Sequence, residues 1–262
     1  MITVISPAKR LDWTVPRGPV TLPAFQDEAN ILAGHARQLS LGDLKGLMGL
    51  SDDLARLNRD RFREMAAAST ELNSRPAALA FAGDTYKGLD AASLTPEAWA
   101  WADDHLRILS GLYGLLRPRD AIQPYRLEMG SRLKTRRGSN LYQFWGDRIA
   151  CALNELSEAG QSRWLVNCAS QEYFGAVDPK ALKLPVVTPV FMEDKDGTPR
   201  VVSFFAKQAR GAMARHICTH GLTDPEALRS FDLDGYRHQP ELSTAERPVF
   251  VRPYRTAASK AA

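Results

Sequence analysis

The 262-residue chain carries 34 Lys and Arg against 30 Asp and Glu, a formal charge of +4, with 44% hydrophobic and 24% charged residues. These proportions exclude intrinsic disorder, collagen-like repeats and a disulfide scaffold, and the length suits one large mixed domain. A surplus of four charges is too small to imply a polyanionic partner, so its distribution has to decide.

In chain order, residues 1–5 read as a buried strand stopped by Ser6-Pro7, too short for the apolar segment of a signal peptide. No run of about 18 apolar residues occurs, so a membrane association is not expected and a cytoplasmic location is. Cys151, Cys168 and Cys218 are odd in number and lack Cys-x-x-Cys spacing, which fits reduced thiols in that compartment. Helical periodicity over 39–47 and 52–65 flanks Leu47-Met48-Gly49-Leu50-Ser51, an apolar-x-Gly-apolar turn that looks like a helix-hairpin-helix element. Such a turn offers backbone N–H groups to a DNA phosphate without reading bases, although Asp52 and Asp53 put negative charge there. The plain alternative is an αα-hairpin capped by Ser51.

Further strands are predicted over 77–82, 164–168, 186–192, 201–205 and 249–251. Thr95-Pro96-Glu97 is a helix start leading into an apolar run over 99–109, and Thr223-Asp224-Pro225-Glu226 repeats the signal with capping-box spacing. Asp196-Gly197 marks a hairpin turn. These elements predict an α+β fold: a central mixed β-sheet of six strands surrounded by helices, a single domain over 1–255, and a disordered tail over 256–262.

Charge is uneven along this pattern. Between Arg107 and Arg137 lie eight cations (Arg107, Arg117, Arg119, Arg126, Arg132, Lys134, Arg136, Arg137) against Asp120 and Glu128, a surplus of six that leaves the rest of the chain slightly acidic. A second stretch, 200–220, holds Arg200, Lys207, Arg210 and Arg215 with no carboxylate. On a helical wheel with Lys207 at 0°, Arg210 falls near about 300°, Gly211 near about 40° and Arg215 near about 80°, one cationic face. Gly211 among those cations would let a phosphate backbone approach, or would serve a helix crossing.

Polar residues gather where strands end: Ser6 to Lys9, Gly83 to Tyr86, and Asn167, Ser170, Glu172 and Tyr173. If those loops share a sheet edge, Lys9, Asp84, Tyr86 and Glu172, with Glu128, supply an amine nucleophile, an acid and a base. Partial desolvation beside the first strand would activate Lys9. Ordinary turn chemistry and solvation is the competing account. His216 and His220 have the i, i+4 spacing of metal ligands but no third ligand, and Cys168 in an apolar strand reads as core. Gly111-Leu112-Tyr113-Gly114 lacks the Lys-Ser/Thr of a phosphate-binding loop, so no cofactor and no metal are predicted.

Together, Ile5-Ser6-Pro7-Ala8-Lys9, Gly83-Asp84-Thr85-Tyr86-Lys87-Gly88-Leu89, Leu109-Ser110-Gly111-Leu112-Tyr113-Gly114 and Gln123-Pro124-Tyr125-Arg126-Leu127-Glu128-Met129-Gly130 resemble the peroxide-stress protein YaaA family. The likeness continues through Leu141-Tyr142-Gln143-Phe144-Trp145-Gly146-Asp147, Asn167-Cys168-Ala169-Ser170-Gln171-Glu172-Tyr173-Phe174 and Ser203-Phe204-Phe205-Ala206-Lys207-Gln208-Ala209-Arg210-Gly211. It implies a bacterial protein of the hydrogen peroxide stress response that binds duplex DNA through a basic cleft and a helix-hairpin-helix, associated with lowered free intracellular iron. The expected phosphate-binding residues are Lys9, Gly49, Arg126, Arg132, Lys134, Arg136, Arg137, Lys207, Arg210 and Arg215, with weak sequence preference because no base-reading element is evident. The alternative is a nucleobase- or nucleotide-processing enzyme using Lys9, Asp84, Tyr86, Glu128 and Glu172; a third reading is a small-molecule or iron-handling protein.

Overall fold

The computed structural model describes residues 1–160 and 162–254. The fold is α+β, with its strands divided between two principal sheets. In the larger sheet, Ile2–Ile5 lies between Leu106–Ser110 and Leu165–Cys168, parallel to both, with Thr3 opposite Leu106 and Val166. Val186–Val187 extends one side in parallel, and Gly114–Leu116 closes the other as an antiparallel edge. All residues of the three inner strands are buried, as the near-continuous apolar runs of a sheet covered on both faces require.

The second sheet has the order Thr198–Arg200, Val190–Lys195, Val249–Pro253, Arg237–His238. The predicted turn is there, with Asp196 and Gly197 both at positive φ (56° and 79°), the left-handed pair that a two-residue hairpin needs. A buried polar cluster fastens this sheet to its surroundings. Arg252 Nε donates to both carboxylate oxygens of Glu193 at 2.9 Å, Tyr236 Oη donates to Glu193 at 2.6 Å, and the guanidinium also bonds Asp234 and lies between the rings of Phe205 and Tyr236.

Several expectations are corrected. The six predicted strands do not form one sheet: 190–195 and 249–253 belong to the second. Residues 77–80 make a helical turn before the short strand Phe81–Ala82, consistent with the high helix propensity of alanine. The 201–205 run opens the long helix Ser203–His220, and the β-branched Val201 and Val202 stay outside it. The helix predicted through Leu109 stops at His105, because Leu106–Ser110 is buried on both faces as a strand. Thr95 caps that helix through Ala98 N as expected, whereas at the later signal Asp224, not Thr223, caps a 3-10 turn through Glu226 N. The predicted tail lies outside the described residues.

Glycines fix two close approaches. Gly111 and Gly114 bound the turn between Leu106–Ser110 and Gly114–Leu116; Trp145 packs on Gly114 and donates its indole N–H to Gly111 O at 3.1 Å. Gly88 of the Asp84–Leu89 helix and Gly211 of the long helix meet backbone to backbone, so the second of Gly211's possible roles, a helix crossing, is the one realised.

Candidate functional site

The strands Ile2–Ile5 and Leu165–Cys168 run parallel, so their carboxyl ends emerge at one edge of the sheet, where open α/β architectures place ligands. The chain leaving Ile5 passes through Ser6 to Lys9 and then pairs Arg10–Leu11 antiparallel with Phe81–Ala82, which sets Gly83 and Asp84 beside Ala8. Ser6 Oγ donates to Ser170 Oγ at 3.3 Å and accepts from Ser170 N at 2.8 Å, while Tyr86 Oη donates to Ser6 O at 3.1 Å. The long helix, pressed on Asp84–Leu89 through Gly211, contributes Lys207 and Arg210.

The result is a cleft of about 1210 Å³ lined by Lys9, Arg10, Asp84, Tyr86, Ser170, Glu172, Lys207, Arg210, Glu246 and Arg247, with Val186, Val190 and Phe191 on an apolar wall. Its charge balance is five cations against three carboxylates. The carboxylates are engaged: Asp84 pairs with Lys87 at 3.3 Å, Glu172 accepts from Gly130 N at 3.1 Å, and Glu246 accepts from the Thr244 hydroxyl at 3.1 Å. Among the described residues, Lys207 and Arg210 have no ion-pair or hydrogen-bond partner.

The structure therefore brings Lys9, Asp84, Tyr86 and Glu172 of the predicted set together and places Glu128 just outside, where it joins Lys9 at 3.3 Å and Arg126 at 2.9 Å. Lys9 is 66% exposed, so the desolvation expected to activate it is absent. Burial pushes the Tyr86 hydroxyl well above its ordinary pKa, and it stays a donor to Ser6. Burial also pushes the Cys168 thiol up to about 12, which keeps it protonated at neutral pH and fits the core reading.

The predicted phosphate ligands divide. Arg132 and Lys134 line a separate groove of about 600 Å³ with His35, Gly42 and Gly46, beside the first helix of the hairpin, and Arg136 is exposed nearby. Three others are taken up internally. Arg126 holds Glu128, Arg137 pairs with Glu28 at 3.6 Å and stacks on Phe144, and Arg215 donates to the carbonyls of Leu89 and Asp90 at the end of the Asp84–Leu89 helix. The single cationic face of the wheel is thus interrupted by Gly211 and by Arg215, which turns back to cap a neighbour. Arg10 and Arg247 are cleft cations outside the two basic stretches; the edge pairing with Phe81–Ala82 brings Arg10, next to Lys9, into the cleft.

The hairpin consists of Leu41–Met48 and Asp52–Glu64, with Gly49 at φ 61° and Ser51 accepting from Leu54 N. Asp52 and Asp53 do occupy the second helix's amino end, and Lys45 pairs with Asp52 at 2.7 Å across the turn. Gly46 is helical and a Cβ there would meet open space, whereas Gly49 needs the left-handed region. We expect Gly46→Ala to stabilise by up to about 1 kcal/mol and Gly49→Val to destabilise by roughly 1–2 kcal/mol. Opposite shifts of Tm in thermal melts check this pair.

Among the described residues no helix is long and apolar enough to cross a membrane, and no three His, Cys, Asp or Glu side chains gather as a metal site. His216 instead shares a hydrogen bond with Ser230 Oγ, and His220 donates to His216 O.

Fold and cleft define an α+β protein with a recess of mixed charge at the carboxyl edge of its parallel strands. The chain belongs to the peroxide stress protein YaaA family, whose match covers residues 1–242, so the resemblance read from the motifs is borne out. It is 67% identical over 254 residues to a UPF0246 protein of Ruegeria pomeroyi, covering 97% of this chain and 99% of the relative. It is 66% identical over 256 residues to one of Roseobacter denitrificans, with 97% and 99% covered, and 56% identical over 255 residues to one of Caulobacter vibrioides, again with 97% and 99% covered.

Proposed function

We propose that this member of the peroxide stress family binds double-stranded DNA without sequence preference, holding phosphates along the cleft and the neighbouring basic groove. The observation that carries the reading is the pairing pattern: the cleft's carboxylates are occupied while Lys207 and Arg210 are unpartnered among the described residues. Lys9 in the cleft, and Arg132, Lys134 and Arg136 at the groove beside the hairpin with Gly49 in its turn, are the further phosphate ligands of this reading. Arg126, Arg137 and Arg215, held in their own pairs, take an indirect part in this reading.

Phosphate contacts of this kind position a protein on DNA and carry no base information. The test is equilibrium binding to fluorescent duplexes of unrelated sequence over a range of salt. Neutralising about six phosphates predicts a log–log slope near −5, equal for all duplexes. A flat salt response, or one duplex strongly preferred, removes the reading. The association with lowered free intracellular iron enters the proposal as the physiological setting, with no residue assigned to it.

A second reading, a nucleotide-processing enzyme, is favoured by the convergence of Lys9, Asp84, Tyr86 and Glu172 on one recess. Turnover of a nucleotide that is lost in Lys9→Ala is the result that would establish it.

A further inference from the structure

Among the arginines with buried or half-buried side chains, Arg75, Arg107, Arg126 and Arg252 each have bonded partners: Arg75 holds the carbonyls of Val15 and Ser74, Arg107 those of Asp103 and Leu106, Arg126 the Glu128 carboxylate and Arg252 that of Glu193. Among the described residues, Arg61 and Arg210 have no such partner, and of these two Arg210 is the one that lines the cleft. It is half-buried, it faces the cleft, and among the described residues its guanidinium makes no hydrogen bond, ion pair or ring contact. Burial lowers its pKa from the ordinary arginine value, and the Cys168 thiol close to it, protonated at neutral pH, supplies no compensating charge. A cation removed from water in this way has its desolvation cost offset only when an anion joins it.

The surroundings indicate which anion. Arg210 and Ser170 both line the cleft, and Arg210 is electrostatically coupled to Cys168, two residues before Ser170. Ser170 Oγ already accepts from Ser6 Oγ at 3.3 Å and from Tyr173 N at 3.4 Å, which leaves its own O–H to donate outward. Lys207 stands one helical turn before Arg210, exposed and unpaired among the described residues. A guanidinium fork, an ammonium and a hydroxyl donor together match a tetrahedral dianion with three free oxygens better than a planar carboxylate. A phosphodiester within a duplex presents only two free oxygens and carries sugar on both sides. A recess of about 1210 Å³ is far larger than a phosphate, and its Val186, Val190 and Phe191 wall provides apolar surface for the remainder of a ligand.

We propose that Arg210, Lys207 and Ser170 form a subsite for a phosphate monoester, carried by a mononucleotide or by the terminal phosphate of a DNA end. The inference rests on the cationic cleft of the preceding reading and narrows its ligand. Calorimetric titration of the whole protein with dAMP and with deoxyadenosine tests it. One dAMP is expected to bind per chain, at least tenfold tighter than the nucleoside. Arg210→Gln is expected to weaken dAMP by at least tenfold, the loss of one charge-assisted contact pair. Arg210→Lys, which keeps charge without the fork, is expected to fall between, so a poorly folded glutamine variant does not close the question. Arg229→Gln, at an exposed pair with Glu226 elsewhere, leaves dAMP affinity unchanged.

Blunt duplexes with 5′-phosphate or 5′-hydroxyl ends distinguish the sources. Tighter binding of the phosphorylated ends assigns the subsite to DNA termini, and equal binding beside strong dAMP affinity assigns it to free nucleotide. Equal affinity for dAMP and deoxyadenosine overturns the subsite, as does full dAMP affinity in folded Arg210→Gln. If duplex binding persists in either case, the DNA reading stands without it; dAMP binding with no duplex binding has the reverse meaning.

Discussion

Gly211→Ala is expected to destabilise the protein by about 3 kcal/mol or more, enough to deplete folded protein on expression. A Cβ at Gly211 would stand 2.7 Å from the carbonyl carbon of Thr85 and 2.9 Å from Leu89 N, and it would overlap the Thr85 carbonyl oxygen. At Gly88, on the facing helix, a Cβ would lie 2.7 Å from Ala212 N. These neighbours are backbone in packed helices, so no side-chain rotation relieves the overlap and the two helices must move apart. That separation withdraws Lys207 and Arg210 from the cleft, coupling the stability loss to a binding loss. Urea unfolding at 25 °C checks the prediction; Gly88→Ala should behave alike, and a loss under 1 kcal/mol in both would show that the crossing is loose.

The second large effect is expected at the cluster under the second sheet. Glu193→Ala should cost about 3–5 kcal/mol, because it leaves the Arg252 guanidinium and the Tyr236 hydroxyl without their buried carboxylate. The double replacement Glu193→Leu with Arg252→Met should cost less than the single change, since it leaves no buried charge unpaired, Asp234 being 39% exposed. The consequence reaches the site, because Arg252 stacks on Phe205 in the first turn of the helix that carries Lys207. Chemical denaturation of the single and double variants decides it; a double variant worse than the single would mean that the ion pair itself, and not the avoidance of a lone charge, holds the sheet.

The sequence revealed local structure more readily than long-range placement. The capped helix start at Thr95, the Asp196-Gly197 turn and the hairpin around Gly49 are set by side chains bonding their own neighbourhood, so they were readable residue by residue. Leu106–Ser110 was not, since five residues following a helix are too few to carry a periodicity that separates strand from helix. The strand-end loops were legible as polar clusters, but their meeting depends on the parallel register of Ile2–Ile5 with Leu165–Cys168, a pairing across more than half the chain. The partners of Arg137 and Arg215 were hidden for the same reason: Glu28 and the carbonyl of Leu89 are far from them in sequence, whereas Arg126 pairs with Glu128 two residues on. Counting cations along the chain therefore overstated how many are free to meet phosphate.

On the proposed function, position in the cleft and not overall charge governs duplex affinity. Two double variants that remove the same charge separate these causes: Lys207→Gln with Arg210→Gln in the cleft, and Arg229→Gln with Arg237→Gln, whose exposed pairs with Glu226 and Asp232 lie outside the cleft lining. With folding checked by circular dichroism, the cleft variant is predicted to lose at least tenfold in duplex affinity and to flatten the salt slope by about 1.8, the share of two phosphates, while the outer variant keeps both within twofold. Equal losses in the two variants would contradict the account.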